Sequence, residues 1–156
     1  SLKHTAIQLV AAVLLSGCIG PLNEMIEQKY PTTTAAKAAN AVGADRWIPD
    51  ILPTDATDIH EVHNIDSNIT WGCFKTSDMD TVRSTLRRSK AQEGHGPIDR
   101  GPTGIFRDFS WWPDSMHSPN IEFWDTKGSL TSTFSGFLIH VGIDAKAGIV
   151  CFYGTN

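Results

Sequence analysis

No run of five like charges occurs in this 156-residue chain, and its 13 Lys and Arg are outnumbered by 17 Asp and Glu. Phosphate binding needs a concentrated basic face, so a net charge of −4 argues against nucleic acid as a partner. No apolar stretch reaches the roughly 20 residues that a bilayer-spanning helix requires. No CxxC pair is present, which argues against a redox-active dithiol or a structural zinc site. The GxSxG elbow, the phosphate loop, the dinucleotide glycine pattern and HExxH are all missing. Accordingly no catalytic residue, no metal ligand and no cofactor is assigned. No internal repeat is evident. What is present is a 40% hydrophobic composition with five Trp and seven Phe, enough for a packed core. The length suits a single domain.

The N-terminus carries the strongest pattern. Lys3 and His4 precede an apolar stretch from Ala6 to Leu15, broken only by Gln8, and Leu15-Ser16-Gly17-Cys18 closes it. The stretch matches the hydrophobic region of a secretory signal, and its closing residues resemble the lipobox of bacterial lipoproteins. That resemblance implies cleavage before Cys18, acylation of its thiol and new amino group, and partnership with a membrane through this N-terminal lipid anchor. Residues 1–17 are then the signal peptide. Two or three acyl chains at about 0.8 kcal/mol per buried methylene hold such an anchor firmly. Residue Ile19 follows the Cys, where family sorting rules place Asp in lipoproteins kept at the inner membrane. The resemblance therefore implies the outer membrane, facing the periplasm. A buried N-terminal helix with an incidental Cys is the alternative, and Gly20 and Pro21 argue against its continuation.

Once Cys18 is assigned to lipid, Cys73 and Cys151 remain as an even pair in an oxidising compartment. Both lie in strand-like segments. A disulfide between them is expected, contributing on the order of 4 kcal/mol in the chain-entropy model; two separate buried thiols are the alternative.

Residues 18–46 read as a tether, with a weak helical rhythm at Leu22, Met25 and Ile26 and a small, polar stretch from Thr32 to Ala39. A single globular periplasmic domain is expected over 47–156. The segments 58–65 and 69–75, joined by Asp66-Ser67-Asn68, read as a hairpin. Ser77 or Asp78 caps a helix to about Arg88, with Met79, Val82 and Leu86 on its buried stripe and Arg83, Arg87 and Arg88 outside it. Residues 89–104, rich in Gly and Pro, read as a long loop. Strands are expected at 121–124, 138–143 and 149–153, with a turn at Lys127-Gly128. The fold class is α+β: an antiparallel sheet with one helix packed across it.

Of six histidines, only His60 and His63 lie close together, and on a strand their odd spacing directs them to opposite faces. A metal site is not expected there. Asp55, Asp58, Glu61 and Asp66 form a candidate acidic surface patch. The run from Pro53 to Asn68, the following Trp71 and Phe74, the Trp111-Trp112-Pro113 segment and the closing hairpin resemble small Gram-negative envelope proteins over residues 47–156. That resemblance implies no particular activity. The expected function is a lipid-anchored binding or interaction protein, of the immunity or envelope-accessory kind, with an envelope protein as partner. Trp111 and Trp112, in the Gly- and Pro-rich region 94–119, are its candidate binding residues. The competing class is an envelope hydrolase acting on peptidoglycan or lipid. A deep pocket with a perturbed His or carboxylate would favour the hydrolase, whereas a shallow aromatic surface would favour the binder.

Overall fold

The structure is a computed structural model and describes residues 25–43, 45–98, 109–126 and 138–155. Residues 1–17, Cys18 and the expected Lys127-Gly128 turn lie outside the described residues. The strands are β1 (Met25–Thr32), β2 (Thr57–Asn64), β3 (Ile69–Lys75), β4 (Gln92–His95), β5 (Glu122–Asp125), β6 (Leu138–Asp144) and β7 (Ile149–Thr155). The helices are α1 (Thr33–Ala38) and α2 (Met79–Arg88), with a single 3₁₀ turn at Asp114–His117. All strand pairings are antiparallel, in the order β1-β2-β3-β7-β6-β5-β4. The chain lays down β1 to β3 and crosses through α2 to the far edge. It then returns as a meander until β7 closes against β3.

The α+β class expected from the sequence is the observed one. The predicted hairpin is β2–β3, and the predicted helix is α2. The Asp78 carboxylate accepts from the Thr81 N–H at 3.0 Å, supplying the cap that an exposed helix start needs. Met79, Val82 and Leu86 are the buried stripe. Arg83, placed outside that stripe by periodicity, reaches back to the sheet instead. Its Nε and Nη2 donate to the Glu122 carboxylate at 2.9 and 2.7 Å. Arg87 lies 5.5 Å over the Trp124 ring, so two cations of α2 clamp it onto β5.

Two boundaries are corrected. The sheet extends upstream of Trp47, because Met25–Thr32 pairs along β2 from Met25↔Asn64 to Thr32↔Thr57. The weak 3.6-residue rhythm was overridden by an available strand edge, a tertiary effect invisible to local pattern. The expected tether at 18–46 thus contains an edge strand and α1, whose Thr32 side chain caps it by accepting from the Ala35 N–H. In the predicted loop 89–104, Gln92–His95 forms β4 on the opposite edge, paired with β5.

The sheet is covered on both sides. One face buries Ile59, Phe74, Val141, Val150 and Phe152 beneath α2, Ala36 of α1 and Ile48, Ile51 and Leu52. The other buries Val62, Trp71, Cys73, Cys151 and Tyr153 beneath Ile98, Trp112, Met116 and Ile121. This double coverage accounts for β3 being buried at every position but its last.

Candidate functional site

A pocket of about 210 Å³ opens on the second face, lined by Asp58, His60, Cys73, Phe74, Lys75, Trp111, Pro113 and Ile149. Its position follows from β2. The pairing register shifts between Thr57 and His60, and Asp58 adopts φ 49°, a left-handed conformation that Asp tolerates better than most residues. This irregularity turns the Asp58 carboxylate along the sheet. The Lys75 ammonium, from the end of β3, lies 2.8 Å from it, and His60 Nε2 lies 3.1 Å away. The hydrogen bonds from Lys75 and then His60 hold the Asp58 carboxyl below the usual range. Carboxylate and ammonium balance, so the rim carries no net charge.

The pocket's back wall is aromatic. His60 stacks on Trp111 with ring centroids 5.3 Å apart, and Trp111 stacks on Phe109 at 4.9 Å. The contacts continue from Phe109 to Trp71 and from Trp71 to Tyr153, each at 6.0 Å. Tyr153 in turn stacks on His140 at 5.7 Å. Packing against His60 and Phe109 fixes Trp111, which stays half-buried; Trp112 is 5% exposed and sits in the second core. The adjacent tryptophans are therefore divided, as their placement in an irregular segment requires: one lines the pocket and the other packs.

His60 Nδ1 is buried and has no hydrogen-bond partner among the described residues. Nε2 faces the Asp58 carboxylate and donates to it; with the ring proton on Nε2, Nδ1 is the acceptor of that tautomer. A buried acceptor without a donor costs about 1–3 kcal/mol, and a ligand N–H or O–H would remove that cost.

Cys73 in the pocket lining belongs to the expected disulfide. Cys73 and Cys151 are bonded, with Cα atoms 4.0 Å apart, and they face each other directly in the β3–β7 register. The bridge joins positions 78 residues apart in sequence.

His63 points the opposite way from His60, as strand alternation demands. It lies on the helix-covered face, stacked under Trp47 at 4.1 Å and nearly parallel to it. Its Nδ1 is 2.7 Å from the Glu61 carboxylate. Glu61 is 1% exposed, and burial pushes its carboxyl above the ordinary range. This buried pair was not legible in the sequence, although a Glu and a His two apart on one strand could have suggested it.

The acidic patch is corrected accordingly. Asp55 accepts from the Thr76 and Ser77 hydroxyls and the Ser77 N–H, Asp58 pairs with Lys75 and His60, and Glu61 is interior. Asp55, Asp58 and Asp66 thus remain at the surface, and Glu61 leaves the patch. Among the described residues no three His, Cys, Asp or Glu side chains converge as a metal site would require.

The family model of the YbbD head domain matches residues 24–75. That match covers a third of the chain, from β1 to the end of β3, and suggests a small bacterial envelope-type protein. It begins one position before β1 and includes Asp58, His60 and Lys75 but not Trp111. No curated protein matches the chain significantly, and no solved structure does.

Proposed function

We propose that this chain is a binding protein of the bacterial outer membrane, anchored through acylated Cys18 on the periplasmic face, with a protein partner that inserts one side chain into the Trp111 pocket. The pocket supports this reading. At about 210 Å³ it falls below the roughly 300–1,000 Å³ of sites that enclose a small molecule. It offers an apolar floor, an aromatic wall, a charge-balanced rim and one acceptor at His60 Nδ1. An apolar side chain ending in a donor, such as Tyr or Trp, complements all four, and these residues dominate binding hot spots. The perturbed Asp58 carboxyl beside His60 is the one observation that favours the hydrolase reading, and the pocket's small volume favours the binder.

A photoreactive residue in place of exposed Ser110 tests the proposal in living cells. We expect an adduct with one envelope protein that disappears in Trp111→Ala. Trp112→Ala should instead unfold the second core, at about 3–5 kcal/mol for a buried Trp, and Trp111→Ala should cost clearly less. An adduct that survives in well-folded Trp111→Ala would remove Trp111 from recognition.

A further inference from the structure

The outer edge of β1 is self-complementary, and we infer that two copies of this chain pair through it as an antiparallel, two-fold dimer centred on Gln28. β1 ends the sheet order, so no described strand covers its outer side. An exposed strand edge presents backbone donors and acceptors ready for another strand. Which residues present them follows from the disulfide. A Cα separation of 4.0 Å for Cys73 and Cys151 marks a non-hydrogen-bonded pair, since the hydrogen-bonded type is wider. The backbone groups of Cys73 therefore turn towards β2, where His60 is its partner. Those of His60 are used there, so Lys29, opposite His60 in β1, directs its N–H and C=O outward. By alternation Met25, Glu27 and Pro31 do the same. Pro31 agrees with this assignment, because its missing N–H falls on the open side.

An outward residue pairs with an outward residue of the second copy, which restricts the register. Centring on Glu27 would oppose two glutamates, and centring on Lys29 would oppose two lysines. Centring on Gln28 places each Glu27 opposite the other copy's Lys29, with reciprocal N–H···O=C bonds, and Met25 opposite Pro31. On the helix-covered face the same register sets Ile26 opposite Tyr30. Ile26, 38% exposed, and Ile65 are the exposed large hydrophobic residues among those described, so this contact covers one of them. Opposite charges directly across an antiparallel pair are stabilising and like charges destabilising. The interface is isologous and closed, the commonest form of homo-oligomer.

The protein purified in detergent from bacterial membranes tests this directly. Sedimentation analysis should give twice the monomer mass. Gln28→Cys should form a reducible self-crosslink in air, because the two positions face each other at the axis, whereas Ile26→Cys should not. Glu27→Lys puts two like-charge contacts in the interface and should raise the dimer dissociation constant about tenfold or more. Combining it with Lys29→Glu should restore the parental value, with the melting temperature of every variant near that of the parent. A monomer at all attainable concentrations overturns the proposal. So does a dimer that Glu27→Lys leaves unchanged, or one that crosslinks through Ile26→Cys instead of Gln28→Cys.

Discussion

A carboxyl group with 1% of its surface exposed is costly to ionise, and Glu61 offsets that cost only in part, through His63 at 2.7 Å and the Thr70 side chain. Burial is the larger influence and raises its pKa in the folded state. A carboxyl whose folded pKa lies above its unfolded one favours folding in its protonated form. That advantage is complete below the unfolded pKa and is lost as pH rises through the folded one. Glutamine cannot titrate, so the melting temperature of Glu61→Gln relative to the parent should climb between the ordinary carboxylate range and neutrality. A gap that stays constant across that interval would show that Glu61 titrates alike in both states. Asp58 has the opposite tendency for a local reason. It is half exposed and holds two donors, so its charged form is the favoured one. Two acids of one strand thus differ because a bulge turns one towards Lys75 while alternation buries the other.

At the scale of elements, β3 and its neighbours come closest at Gly72. A Cβ added at Gly72 would lie 2.3 Å from the Phe152 ring and 2.7 Å from the His60 carbonyl oxygen. The ring of β7 therefore folds over a position that only glycine leaves open. Gly72→Ala should destabilise the protein by about 1–3 kcal/mol, the usual cost of overpacking. A denaturant titration should show a lower midpoint with little change in slope; an unchanged midpoint would mean that Phe152 moves aside freely. The hairpin β2–β3 and helix α2 were legible beforehand, since each has its own turn or cap residues and its own periodicity. The edge strands β1 and β4 were not. Their residues are mostly polar and largely exposed, so neither carries a clear alternating pattern. Each becomes a strand because a neighbour presents a free ladder.

For the whole molecule, the proposed anchor and the domain meet over a short span. Cys18 lies seven positions before Met25, where the sheet starts, so the proposed lipid would hold the β1 end of the sheet close to the membrane surface. Cys18→Ser should abolish acyl labelling, leave the precursor uncut and release the protein from its usual membrane fraction. Retention in detergent-extracted membranes after normal cleavage would assign the anchoring to something other than this thiol. The melting temperature should not change, because Ser differs from Cys by one atom and the substitution removes only the acyl acceptor. That separates loss of the anchor from loss of the fold.

Composition and local pattern were enough to establish an α+β domain, the capped helix over 79–88, the hairpin and the pairing of Cys73 with Cys151. These depend on short-range periodicity, on turn chemistry and, for the disulfide, on the parity of the cysteines. The pocket was another matter. Trp111 was identified as a candidate by its residue type, but Asp58, His60 and Lys75 acquire a common role only when a bulge in β2, the end of β3 and the segment after residue 109 converge on one face. The division of Trp111 from Trp112, the burial of Glu61 and the pairing of β1 likewise depend on contacts between residues distant in sequence. Such contacts are selected by which surfaces the folded sheet leaves to be covered, and no local window of the chain contains that information.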